Sequence, residues 1–196
     1  PKSTVAHPFY VEESKKYYVD YQLFDQWQWL VDGRVIVLSE KDGYMQVYLY
    51  SAQGIEQKKL TNGAYDVMAV YGYDEKAQTL YYQAAPTPAT RQLYALSLKK
   101  GTITQLTQEE GMHSARCAQN GRKMIDCFQS FDTPNTYTLY SLNGAKMKTI
   151  GVVMDNAVVR EAWQRHQLPE PQLLKIPNAN GQELEAMLMV DPSANS

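Results

Sequence analysis

Catalytic raw material is scarce in this chain. Its three histidines, His7, His113 and His166, are far apart in sequence, and it has only two cysteines, Cys117 and Cys127. It contains no Gly-x-Ser-x-Gly nucleophile turn, no His-Glu-x-x-His helix and no glycine-rich phosphate loop. The residue pattern therefore assigns no catalytic, cofactor-binding or metal-binding residue, and the cysteine pair lacks the further ligands of a zinc site. No run approaches the roughly 18 apolar residues that a membrane helix needs. A net charge of -2 and a pI near 6.0 leave no basic footprint for nucleic acid or an anionic membrane. The lysine pairs at 15–16, 58–59 and 99–100 read as solvated strand ends and turns. No methionine or signal-peptide pattern opens the chain and a polar tail closes it, so both ends read as cuts in a longer protein.

What is abundant points to β structure. At 196 residues, with 44% hydrophobic and 20% charged residues, the chain has the make-up of a folded protein of one or two domains. Fifteen tyrosines against four phenylalanines favour strands with semi-exposed aromatic edges, and they help set the mean hydropathy of -0.48.

Residues 35–67, VIVLSEKDGYMQVYLYSAQGIEQKKLTNGAYDV, form the organising unit. Strand-length runs at 35–38 and 46–50 flank the turn residues Asp42 and Gly43. A third strand ending at Leu60-Thr61 follows the punctuation at 51–54, and Asn62-Gly63 turns the chain into 65–70. The unit recurs. Tyr48 matches Tyr94 and Leu60-Thr61 matches Leu106-Thr107, both 46 residues on, while the turn at Asp32-Gly33 returns near Lys76-Ala77 and at Asn120-Gly121 in steps of 44. Leu49, Ala95 and Leu139 fall in register, as do Tyr50, Leu96 and Tyr140. A period of about 40 to 50 residues filled by short strands is the signature of four-stranded propeller blades. Met45, Val47 and Leu49 lie on one strand face and Tyr48 and Tyr50 on the other, so both faces are apolar, as in a sheet covered on both sides.

The remaining segments are read against that period. Residues 1–20 are expected to hold the end of a preceding blade, its outer strand in HPFYVEES, and a connection. Three blades follow at about 21–63, 64–110 and 111–153. Trp27 and Trp29 share a strand face; tandem indoles can stack a base or sugar, and an inner strand packed between blades explains them more simply. The second blade has strands at 67–73, 79–85, 92–98 and 102–106, and the third at 114–118, 123–129, 136–142 and 146–150. Asp155 or Asn156 can cap a helix over 157–166, which Pro169 and Pro171 stop, making 154–171 a short helix and linker. Residues 172–196 start a second domain with a hairpin of strands 173–176 and 184–190 about Asn178–Gly181.

Other side chains have a plain structural reading beside the functional one. His113 heads an inner strand and could face a central channel, or be an ordinary buried histidine. Glu40 and Asp42 could form a carboxylate pair for acid work, yet charged hairpin loops are common; Glu109-Glu110 reads as a solvated loop. A Cys117–Cys127 bridge is conceivable, but a tight turn would pair Cys117 nearer Lys123, which favours free thiols.

LSEKDGYMQVYLY at 38–50, followed by LTNGAYDV at 60–67, resembles the penultimate propeller blades of the dipeptidyl peptidase IV family, in the prolyl oligopeptidase superfamily. Matches continue in order through LYALSL at 93–98, Gly111-Met112-His113-Ser114, Asp155-Asn156 and Leu168-Pro169, so the likeness covers about residues 12–190. Tyr44 and Tyr65 stand where many relatives have tryptophan, and Gln22-Leu23 where some have a substrate-side Phe-Arg pair, so no binding residue carries over. The resemblance implies an all-β arrangement of about three four-stranded antiparallel blades, a short helix and the first β-hairpin of an α/β-hydrolase domain. It further implies a serine exopeptidase that removes N-terminal X-Pro or X-Ala dipeptides, in an extracytoplasmic setting that leaves room for a homodimer. The family's triad, oxyanion tyrosine and paired glutamates belong outside this chain, which would be an inactive wall of the peptide chamber. Two rivals differ in kind: a non-enzymatic propeller scaffold or ligand-binding module, and an acylaminoacyl or oligopeptidase relative.

Three blades cannot close a ring. If the outer faces of the first and third each leave on the order of 500 Å² of apolar surface bare, the forfeited burial is about 12 kcal/mol per face. That exceeds typical domain stability, so the chain alone is expected to self-associate or be unstable.

Overall fold

The computed structural model describes residues 8–16, 18–20, 25–166, 169 and 171–190. Three four-stranded antiparallel sheets follow one another along the chain, each a simple meander in which sequence neighbours are sheet neighbours. The first comprises β1 (Gln28–Trp29), β2 (Val35–Ser39), β3 (Gln46–Tyr50) and β4 (Glu56–Lys59). The second comprises β5 (Asp66–Asp74), β6 (Thr79–Ala85), β7 (Gln92–Ser97) and β8 (Ile103–Gln105), and the third β9 (Met112–Cys117), β10 (Lys123–Gln129), β11 (Thr136–Asn143) and β12 (Lys146–Met154). Helix α1 (Ala157–His166) and a separate hairpin, β13 (Gln172–Pro177) with β14 (Glu183–Leu188), complete the chain.

The predicted two-faced burial is realised most fully in the second sheet. On β6, Leu80, Tyr82 and Ala84 pack towards the first sheet against Ile36, Leu38, Val47 and Leu49. Tyr81, which alternates to the other face, packs with Leu93 and Ala95 against Ala115, Met124 and Leu142 of the third sheet. Leu80, Tyr81 and Tyr82 are all fully buried. Each large apolar side chain so enclosed contributes about 1.5–3 kcal/mol relative to exposure. The Tyr81 hydroxyl keeps its polar end satisfied by donating to the Gly144 carbonyl at 2.9 Å, which ties the second sheet to the β11–β12 turn. At Gly121, φ is +66° and a Cβ would lie 2.6 Å from the Asp74 nitrogen, so the β9–β10 turn can seat on the end of β5 only without a side chain.

The Leu-Thr repeat has a physical cause. The Thr61 hydroxyl accepts from the Val47 N–H at 2.9 Å, and the Thr107 hydroxyl accepts from the Leu93 N–H at 3.0 Å. In both sheets the outermost strand therefore ends before its threonine, and the side chain supplies the acceptor that the ladder no longer offers. This is why β4 stops at Lys59, short of the expected Leu60-Thr61.

Four other expectations are corrected. No strand forms in residues 8–16; Phe9 and Tyr10 instead lie, with Trp27, against Val35, Val37, Tyr48 and Tyr50 on the outer face of the first sheet. Glu12 anchors this segment by accepting from the Ser39 hydroxyl at 2.8 Å. The first sheet's outer face is thus covered and its aromatic positions are buried, contrary to the expected bare surface. The Trp27 indole belongs to that cover, not to a strand at a junction between blades, because β1 is reduced to Gln28–Trp29 and Trp27 falls outside it, while Trp29 is exposed beside Phe9. Finally, β12 runs to Met154, four residues past the expected end, with two register shifts against β11.

By contrast, the third sheet's other side is open: Met112, Ile125 and Ile150 are all exposed. Helix α1 buries no residue. Its start is shared by Asp155, whose carboxylate accepts from the Ala157 N–H at 3.1 Å, and Asn156, whose amide donates to the Asn135 carbonyl at 2.6 Å. The β13–β14 hairpin turns on Asn178, which accepts from Asn180 and Gln182 N–H groups at 2.9 Å each, and exposes Leu173, Ile176, Leu184 and Met187.

Candidate functional site

The inner strands β5 and β9 converge closely. A Cβ added to Gly72 would meet the Cys117 Cβ at 2.9 Å, so only a glycine allows this approach. Beside it lies a groove of about 870 Å³ lined by Val70, Tyr71, Ser114, Arg116, Cys127 and Tyr137 among others, with Arg116 the one charged group in its wall. Burial holds the Tyr71 phenol above its ordinary value, aided by the negative charge of Asp126. A second cavity of about 670 Å³ opens where the loop after β6, the end of β10 and the hairpin meet, with Glu110, Phe131, Asp132 and Leu173 in its lining.

The two thiols are free. Cys117 stands opposite Met124 and Cys127 opposite Ser114, so strand alternation puts them on opposite faces of the third sheet. Burial pushes the Cys117 thiol up to about 12, leaving it an inert apolar group.

His113 is buried, not channel-facing: its Nδ1 lies 2.8 Å from Asp126 Oδ2, and its ring packs on Phe128 with centroids 4.6 Å apart. Sequence reading placed His113 correctly at the head of β9 but missed its partner Asp126, which looked like an ordinary polar residue in a strand. The signal available was an acidic residue on the core face of an otherwise apolar pattern.

Asp42 accepts from the Tyr48 hydroxyl at 2.9 Å and pairs with Lys59 at 3.0 Å. These bonds hold its carboxyl below the ordinary carboxylate range, the Lys59 bond contributing most. Glu40 takes no part, so the two acids form no catalytic pair. Lys41 stands 4.1 Å above the Tyr48 ring and pairs with Glu56. This network seals the rim of the first sheet. The backbone carbonyl of Glu109 accepts from the Gln92 amide at 2.8 Å, while both carboxylates of Glu109-Glu110 are exposed. Trp27 and Trp29 lie with ring centroids 6.5 Å apart against Phe9. Gln22 and Leu23 lie outside the described residues. No group of three or more metal-ligating side chains occurs among the described residues, and no described helix is long and apolar enough to cross a membrane.

What the arrangement offers chemically is shape: stacked sheets, a groove along their inner edge and no nucleophile, base and acid brought together among the groups described. Comparison with known proteins agrees on what that shape is. A family model described as the dipeptidyl peptidase IV (DPP IV) N-terminal region matches residues 1–135. A probable dipeptidyl peptidase 4 of Aspergillus flavus is 27% identical over 164 residues, 82% of this chain and 21% of that protein. Dipeptidyl peptidase 4 of Arthroderma otae is 27% identical over 161 residues, 81% of this chain and 20% of its own length. The crystal structure of Porphyromonas gingivalis dipeptidyl peptidase 4 superposes with a TM-score of 0.82 at 29% identity, over 91% of this chain and 26% of that one. A putative dipeptidyl aminopeptidase IV from Bacteroides ovatus shares the fold, with a TM-score of 0.67 at 21% identity over 85% of this chain and 27% of that one. This chain thus spans about one fifth of the curated relatives' length, and it belongs to the dipeptidyl peptidase IV N-terminal region family.

Proposed function

We propose that this chain is a non-catalytic part of the propeller of a serine exopeptidase that removes X-Pro or X-Ala dipeptides from peptide N-termini. Its part is to form a wall of the chamber that admits short or unfolded peptides. The observation that carries the reading is the family match over residues 1–135, in a chain of three successive four-stranded sheets in which β5 and β9, the inner strands of the second and third, border the 870 Å³ groove. Residues 1–20 connect to the blades at about 21–63, 64–110 and 111–153. Residues 154–171 are helix and linker, and 172–196 begin the α/β-hydrolase domain that carries the reaction. The hairpin's exposed apolar faces support that last assignment, since so small a unit needs a larger core to pack on. The complete protein acts outside the cytoplasm on peptides.

The test is cleavage by the complete protein of Gly-Pro and Ala-Ala chromogenic substrates with free and acetylated N-termini. Release from free termini, faster after proline and abolished by acetylation, is expected. Turnover of the acetylated forms would favour an acylaminoacyl or oligopeptidase relative, and no turnover of any would favour a scaffold.

A further inference from the structure

The two junctions between successive sheets share a glutamine latch and differ in the core beneath it. In both, a glutamine at the start of the third strand reaches a carbonyl beyond the Leu-Thr pair: Gln46 donates to Gly63 at 3.1 Å and Gln92 to Glu109 at 2.8 Å. In the first junction, Val67 of β5 stands opposite Ala84, and Val67 and Tyr82 belong to the apolar core. The corresponding positions of the third sheet, by the repeat offsets of 46 and 44, are His113, opposite Phe128, and Asp126. An apolar pair has been replaced by an imidazole and a carboxylate, 2% and 3% exposed.

The surroundings define the state of the pair. His113 Nδ1 faces Asp126 Oδ2 at 2.8 Å, and Nε2 faces the Glu109 carbonyl at 3.3 Å. The Glu109 carbonyl accepts only, and Asp126 accepts only while it is ionised. A neutral imidazole has one N–H and would set its remaining lone pair against one of them, whereas an imidazolium donates to both. Asp126 needs a counter-charge equally, because its Oδ1 has no hydrogen-bond partner among the described residues and its one ion pair there is with His113. Nothing else close by supplies one. Tyr71 of β5 and Tyr140 of β11 are both raised, by burial first and by the Asp126 charge second, and the Cys117 thiol of β9 stays protonated. Arg116 of β9 and Lys123 of β10 are exposed, Arg116 alternating to the sheet's other face. On the side of β6, Gln83 donates its amide to the His113 carbonyl, leaving the ring to Asp126 and Glu109. The Glu109 side chain is exposed, and only its backbone reaches the ring.

We propose that His113 and Asp126 form a buried imidazolium–carboxylate pair, locked to the second blade through the Glu109 carbonyl, that makes this junction the proton-sensitive one of the two. Loss of either charge leaves a buried group unmatched and loosens β9 and β10 from the second blade. Removing one partner by substitution does the same, while removing both restores apolar packing like that of the first junction.

The direct test is ¹⁵N NMR of the full chain labelled at histidine and carrying His7→Gln and His166→Gln, which leaves His113 as its one imidazole. Two proton-bearing ring nitrogens at neutral pH are expected, and a nitrogen with the shift of a free lone pair would overturn the proposal. On raising the pH until the second proton leaves, amide exchange in 112–129 should accelerate beyond its intrinsic base-catalysed factor, while that in 66–74 keeps to the factor; equal behaviour would contradict it. In thermal melts, His113→Val and Asp126→Val should each lower the melting temperature, and the double variant should melt above either. A double variant that melts below both by the sum of their losses would also overturn the pair.

Discussion

Replacing Thr107 by valine exchanges a hydroxyl for a methyl group of nearly the same shape at a site only 3% exposed. Two partners lose by it: the Leu93 N–H loses its acceptor at 3.0 Å, and Gln92 Oε1 loses the proton it receives at 2.5 Å. Gln92 is itself buried and its amide nitrogen is committed to Glu109. A buried polar group left without a partner costs about 1–3 kcal/mol, so the two together should cost about 2–6 kcal/mol. The molecule contains its own control. Thr61 occupies the same place one repeat earlier and accepts from the Val47 N–H at 2.9 Å, but the amide of Gln46 is engaged with the Gly63 and Tyr65 backbones instead. Thr61→Val should therefore orphan one group, at about 1–3 kcal/mol. The difference is the cost of one orphaned group, about 1–3 kcal/mol, and each kcal/mol corresponds to roughly 2–4 °C in melting temperature for a chain of this size. Thermal unfolding followed by circular dichroism would compare both valine variants with Thr107→Ser, which keeps the hydroxyl and should recover most of the loss. Equal losses at 61 and 107, or a serine variant no better than valine, would refute the latch.

Gly121→Ala should cost more than the roughly 1–2 kcal/mol of left-handed strain alone, because its Cβ would also strike the Tyr73–Asp74 backbone; Gly181→Ala, with nothing within 4 Å, should cost the strain only, and chemical denaturation would compare them. Iodoacetamide at pH 8 should label Cys127 well before Cys117, whose thiol stays protonated until the pH nears 12; peptide mapping showing prior loss of Cys117 would contradict its burial. In sedimentation velocity the isolated chain should associate at micromolar concentration through the open face of the third sheet and the hairpin, whereas a monomer would show that those apolar surfaces are tolerated in water.

Much of the fold was legible because the residues that set it act locally. Gln46–Tyr50, Lys123–Gln129 and Ala157–His166 stand where patterning placed them, since period, turn residues and capping groups all act within a few positions. The covering of the first sheet by Phe9 and Tyr10 was not legible: an aromatic pair in a polar segment fits an edge strand or an irregular cap equally well, and its partners Tyr48 and Tyr50 are some forty residues away in sequence. β12 outran its expected end because its pairing with β11 continues through two register shifts, with Gly151 opposite Leu139, Val152 opposite Thr138 and Met154 opposite Tyr137. The His113–Asp126 pair was half visible. A histidine at a strand start drew notice, but only the register of β9 on β10 brings Asp126 onto the same face.

The measurement that bears most directly on the account is active-site labelling of the complete protein with a fluorophosphonate, with dipeptide release from an X-Pro peptide followed in the same sample. The account predicts that release stops as one serine is modified, and that peptide mapping places the adduct outside residues 1–196. An adduct on a serine within these residues, or undiminished release after full labelling, would contradict it.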